Sequence, residues 1–149
     1  MAMLVHHILD TARQRLAVLD RDVCVADSAR ILASPNTPLV VVCDRDGVAV
    51  GVISRSDIVN AIACRGVDLF NTKAGEVMTQ AMLSCHVDQT LQGVWESVTA
   101  RSLRCVPILD GAGRPLGVVH ARDLARALLE EVTEEEALLR DYVLGVGYQ

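Results

Sequence analysis

Residues 51–57 read Gly-Val-Ile-Ser-Arg-Ser-Asp, and the pattern returns at 117–123 as Gly-Val-Val-His-Ala-Arg-Asp. The shift is 66 residues (117 − 51), nearly half of the 149-residue chain. Each occurrence closes a short apolar run of strand character and opens a stretch with helical spacing, so each sits at a strand-to-helix corner. Such a chain folds as two like halves carrying two chemically related sites. Halves of about 60–65 residues bury too little surface to stand alone, so the two share one domain about a pseudo-twofold axis.

The same shift carries the flanking segments along. Leu-Val-Val-Val-Cys-Asp at 39–44 maps onto Cys-Val-Pro-Ile-Leu-Asp at 105–110. Arg-Asp-Gly at 45–47 and Gly-Ala-Gly at 111–113 follow as tight turns, where glycine supplies a positive φ. The return strands are 48–53 and 114–119, with Pro115 expected at a strand start or edge because it lacks a ladder donor. After the corner, Ile58, Val59, Ile62 and Ala63 match Leu124, Ala125, Leu128 and Leu129 as one helical face. Upstream, Leu91, Val94, Trp95 and Val98 form a helical stripe whose counterparts, Val25, Ser28, Ala29 and Leu32, are weaker. Thr90 is a good N-cap for that helix and its equivalent Cys24 is not. Short apolar segments at 16–19 and 82–85 precede these helices. Earlier still, 5–9 resembles 74–78 at a shift of 69 (78 − 9), three residues more. Each half therefore reads strand–helix–strand–hairpin–strand–helix, with 65–73 as connector.

Composition excludes several function classes. A net charge of −5, one Phe, two Tyr and one Trp leave neither a basic surface nor a stacking platform for nucleic acid. No apolar run reaches the roughly 18–20 residues that span a bilayer, and the start of the chain lacks the pattern of a secretory signal. The five cysteines are odd in number and widely spaced, with no C-x-x-C pair. They read as small hydrophobes in a reducing cytoplasm. Hydrophobic content of 51% implies apolar surface covered by a partner chain. His6 and His7 are adjacent and have no metal-site spacing around them. Neither a P-loop nor a nucleophile elbow is present, so no enzyme is expected.

These motifs together resemble a tandem pair of CBS domains (a Bateman module), over residues 1–132. The resemblance rests on Gly-Val-Ile-Ser-x-x-Asp at 51–57, Gly-Val-Val-x-x-x-Asp at 117–123, Val-Pro-Ile-Leu-Asp at 106–110 and Glu-Val-Met-Thr at 76–79. It implies an α/β (α+β) fold of two pseudo-twofold-related repeats, each a small three-stranded sheet with two helices. The repeats would occupy 1–66 and 67–132, ahead of a helical tail at 133–149. It also implies a stand-alone, non-catalytic regulatory module that dimerises and signals to a client protein. Its ligands would be adenosine-containing: AMP, ADP, ATP, S-adenosylmethionine or a dinucleotide. Carried over by motif position, Ser54 would contact phosphate and Asp57 the ribose hydroxyls of one site, with Asp123 serving the other. The base would lie against Ala17, Val18 and Val40, or against Ser84, Val106 and Pro107. Arg104, before the second strand, could reach phosphate or be a solvated rim residue.

The chemistry is consistent with that use. A carboxylate accepts two donors from a vicinal diol, and a helix N-terminus beside it attracts phosphate. Ser54 and Asp57 also have the form of a capping box, a role compatible with ligand contact. His120 departs from the pattern at the second corner: it caps poorly, and it would donate to phosphate best when protonated. The two sites are therefore expected to be unequal, with the Ser54/Asp57 site closer to the pattern. In the tail, Thr133 and Glu136 form another cap signature. Leu138, Leu139, Tyr142, Val143 and Val146 follow at helical spacing, either covering the protein's own core or docking another chain. The competing function is a dimeric interaction module whose clefts are vestigial or empty.

Overall fold

The computed structural model describes residues 2–66 and 68–147, the last three without side chains, so Val146 of the tail stripe lies outside the described side chains. Two hairpins organise it. Gly47 (φ 81°) turns β2 (Val40–Cys43) into β3 (Ala49–Ile53), and Gly113 (φ 83°) turns β4 (Cys105–Leu109) into β5 (Pro115–His120). Their registers superpose under the 66-residue shift: Val40 pairs with Ile53 and Val106 with Val119, and each hairpin slips register at the same place. Pro115 takes the first position of β5, where no ladder donor is needed. The hairpin tips touch, with Ala49 N donating to Gly113 O at 2.9 Å.

The remaining elements are α1 (Leu9–Gln14), β1 (Val18–Asp20), α2 (Val25–Leu32), α3 (Arg55–Arg65), α4 (Ala74–Val77), α5 (Leu91–Ala100) and α6 (Ala121–Gly147). A 3-10 turn, Val5–Ile8, leads into α1. The first sheet has the order β1-β2-β3, with β1 parallel to β2. In the second sheet the expected third strand shrinks to one parallel bridge, Cys85 to Ile108. Proline explains the difference. Val41 N donates to Ala17 O in the first repeat, but its counterpart Pro107 has no N–H to offer Leu83.

Strand alternation sorts the core into three clusters. Val40, Val42 and Ile53 face Val25, Leu32 and Ile58, while Val106, Ile108 and Val119 face Leu91, Val94, Val98 and Leu124. The opposite strand faces meet between the repeats, where Leu39, Val41 and Cys43 pack against Val118. The weak stripe of α2 works because the fully buried Ser28 hydroxyl donates to Val25 O within its own helix.

The leading helices are exchanged. Val5, Leu9 and Ala12 belong to the core of the second repeat, and Ala74 of α4 to the core of the first. Matching hydrogen bonds tie them down: Val5 N to Gln89 O and Ala74 N to Val23 O. The donors correspond at the shift of 69 (74 − 5) and the acceptors at the shift of 66 (89 − 23). Further along, α1 lies against Gly117 through Ala12 and the segment after α4 lies against Gly51 through Met78, a shift of 66 (78 − 12). The three additional residues of the first half therefore fall between Val5 and Ala12.

Two expectations for the tail are corrected. α3 stops at Gly66, which takes a left-handed conformation (φ 58°), but its counterpart is Val132 and α6 runs on without a break for 27 residues. Thr133 caps nothing, since its hydroxyl donates to Leu129 O one turn back. Nor does the tail cover its own core: Leu138, Leu139, Tyr142 and Val143 are 64–71% exposed.

Candidate functional site

Ser54 is the N-cap of α3 in an extended conformation, and its hydroxyl accepts from Asp57 N at 3.3 Å. Asp57 Oδ2 in return accepts from Ser54 N at 2.8 Å and from its hydroxyl at 3.1 Å. The capping box thus holds the carboxylate in place. Its other oxygen, Oδ1, accepts from the Thr79 hydroxyl at 3.2 Å. A carboxylate has about four acceptor positions, so one stays open for a ligand and the weak Thr79 bond is exchangeable.

This group opens into a cleft of about 310 Å³ between the repeats. One wall is Leu39, Val52, Ser54 and Asp57, the floor is Thr79, Ala81, Met82 and Leu83, and the other wall is Arg101, Leu103, Cys105 and Pro107. Ser102 adopts φ 54°, and that reversal sets Arg101 and Leu103 together over the opening. The missing donor at Pro107 leaves Leu83 unpaired by the strand and available as floor. Burial, ahead of the neighbouring charges, pushes the Cys105 thiol up to about 11, so it lines the cleft as a neutral group. A wider depression of about 490 Å³ near Arg21, Asp22, Lys73 and Glu76 lies away from both corners and is lined by charges of both signs.

Ser54 and Asp57 line one cleft, and Pro107, grouped in the sequence reading with Ser84 and Val106, lines the same cleft from the other repeat. Val40 and Val106 are corrected: they are 0% and 1% exposed inside the repeat cores, and the adjacent Leu39 and Cys105 line the cleft in their place. Alternation is the cause, since an error of one residue moves a strand side chain to the opposite face. Ala17, Val18, Ser84 and Arg104 lie outside this lining. Arg104 serves through its carbonyl, which accepts from Ala121 N at 2.7 Å. Arg101 and Leu103 were missed, because they come from a loop of the other repeat with no motif around it.

The second corner differs. His120 does cap, contrary to expectation: its Nδ1 accepts from Arg122 N at 3.0 Å. Burial first, then Arg122 and Arg15, lower its pKa from 6.5 against the opposing pull of Asp123. The folded state therefore prefers neutral imidazole, and the unfolded chain binds the proton more readily. Stability from this group is present above about pH 6.5 and falls as pH drops through that value towards the lower folded pKa. His120→Asn keeps an acceptor at the cap and removes the titration, so its melting temperature should fall less than that of the natural protein between pH 7 and 5.5. Parallel decline in both would remove His120 as the source.

Asp123 is not open either. Arg15 Nε donates to its Oδ2 at 2.6 Å and Nη2 to its Oδ1 at 3.2 Å, with the two side chains only 20% and 11% exposed. The cavity beside this corner, about 260 Å³, is lined by Thr11, Gln14, Arg15 and Asn36 and does not include Asp123.

A family model for the CBS domain matches residues 17–64 and again 74–130. The chain belongs to the CBS domain family. As a CBS pair it has the fold of a non-catalytic regulatory module. A 17.7 kDa protein of Acidianus ambivalens is 29% identical over 136 residues, covering 91% of this chain and 81% of that protein. A CBS-domain containing protein from Agrobacterium tumefaciens has a solved structure that superposes with a TM-score of 0.71 at 27% identity, covering 83% of this chain and 97% of that one. The CBS domain pair of protein MJ0100, solved with 5′-methylthioadenosine and S-adenosylmethionine, gives a TM-score of 0.74 at 23% identity over 88% and 99% of the two chains. Other relatives are far longer, and the chain spans 24% of one of them. Among the described residues, no helix of the CBS pair is long and apolar enough to cross a membrane.

Proposed function

We propose that this CBS pair is a regulatory module that takes an adenosine-containing ligand in the Ser54/Asp57 cleft and signals to a partner protein. The observation that carries this reading is the oriented Asp57 carboxylate, facing an inter-repeat cleft that also holds Arg101. The carboxylate suits a ribose diol and the α3 N-terminus with Arg101 suits a phosphate, while Leu39, Leu83 and Pro107 offer flat apolar cover for a base. Adenosine compounds in the related MJ0100 pair agree with this choice. Titration calorimetry with AMP, ATP and S-adenosylmethionine tests it, with one equivalent of at least one compound expected per chain. At about 100 times its Kd such a ligand adds about 2.7 kcal/mol of stability, which raises Tm by roughly 5–10 °C. No heat and no shift at millimolar concentration would overturn the reading.

A second reading, a dimeric interaction module whose clefts are vestigial or empty, is favoured by the exposed apolar face of α6. Leu139→Lys with Val143→Lys should convert a dimer to a monomer in sedimentation while leaving ligand affinity unchanged. A natural protein that is already monomeric would count against self-association.

A further inference from the structure

The two corners differ most in what stands opposite the carboxylate. Ala81 lies in the floor of the first cleft, beside Asp57. Its counterpart under the 66-residue shift (81 − 66) is Arg15, which grips Asp123 with both ends of the guanidinium fork. Among the described residues, the first carboxylate meets the hydroxyls and amide described above, whereas the second is matched by a full opposite charge.

The backbone that carries Arg15 is also anchored. It is the C-cap residue of α1, its amide donating to Ala12 O. Ala12 is 2% exposed, and its backbone would stand 2.8 Å from a Cβ at position 117. The side chain therefore projects towards Asp123 from an anchored backbone. Bidentate charge-assisted pairs of this kind are stronger than neutral hydrogen bonds, and partial burial limits their screening by salt.

We propose that Arg15 is an internal counter-ion that closes the second cleft, so that the protein takes one ligand per chain and keeps a latent second site behind the Arg15–Asp123 pair. The inference rests on the reading of the first cleft as a ribosyl site. A ribose diol approaching Asp123 would have to displace a guanidinium from its counter-charge. Removing that guanidinium uncovers a carboxylate of the same kind as Asp57.

The test uses the full chain with the first site disabled by Asp57→Asn, titrated with AMP, ATP and S-adenosylmethionine in equilibrium dialysis and calorimetry. Asp57→Asn alone is expected to bind each of the three at least tenfold more weakly than the natural protein does. Asp57→Asn with Arg15→Ala is expected to bind one equivalent of at least one, at least tenfold more tightly than Asp57→Asn alone. Arg15→Gln, which keeps most of the side-chain length without the charge, gives the same comparison if the alanine variant melts too low. Absence of binding in the folded double variants, or equal affinity with and without Arg15, would overturn the latch. Absence of binding by the natural protein bears instead on the first cleft, because the latch is read from the double variants.

Discussion

Gly117→Ala lowers the unfolding free energy by about 1–3 kcal/mol, because the added methyl overpacks a site that has no room. A Cβ there would lie 2.8 Å from the Ala12 carbonyl carbon, 2.9 Å from its Cβ and 3.0 Å from its oxygen. Two of those atoms are backbone, in a helix anchored by Val5 and Leu9 in the core of the second repeat. Relief therefore requires moving α1 off β5. The gain from restricting the unfolded chain, about 0.4–1 kcal/mol for Gly→Ala, offsets only part of this. Tm should fall by roughly 3–10 °C in thermal denaturation. Gly51→Ala is the matched control. Its Cβ meets the flexible Met78 side chain at 2.6 and 2.8 Å, with Thr79 O at 3.0 Å, so most of the clash can be relieved by a rotamer change. A larger loss at Gly51 than at Gly117 would contradict this account of the exchanged helices.

Asp57→Asn should weaken the proposed ligand by roughly 10- to 10⁴-fold, since hydrogen bonds to a charged group contribute about 1.5–3 kcal/mol each and a diol makes up to two. Asparagine keeps one oxygen, whose two acceptor positions remain committed to Ser54 N and its hydroxyl if the cap survives. No acceptor is then left for the ligand. Because the cap can persist, stability of the unliganded protein should change by less than about 1 kcal/mol. Affinity from calorimetry and Tm without ligand separate the two roles of this side chain. Unchanged affinity would remove Asp57 from the site.

Much of the fold was legible because its signals are local. Gly47 and Gly113 mark turns that need positive φ, and Ser54 with Asp57 form a cap within four residues. The 66-residue shift reproduces the hairpin register pair by pair. Val40 and Val106 were misplaced because a strand buried on both faces shows no alternation: all four residues of β2 are buried, so hydropathy does not say which face meets the other repeat. The tail was misread for a comparable reason. A cap signature at Thr133 acts only where the helix breaks, and replacing the stop at Gly66 by Val132 removes the break. Arg101 reaches the cleft from a loop whose path depends on one left-handed residue, Ser102.

The sequence by itself determined the duplication, the hairpins and their register, the family, and the cap that orients Asp57. All of these depend on residues close in the chain or on a regular period. Only the tertiary structure decided which strand faces meet, which half receives each leading helix, and what stands opposite each carboxylate. Arg15 and Asp123 are 108 residues apart, and no periodicity links them. Their encounter depends on α1 crossing to the other repeat and seating its backbone on Gly117. Both leading segments cross in this way, and two corners that begin as near copies become unequal because the crossing brings an arginine to one and an alanine to the other.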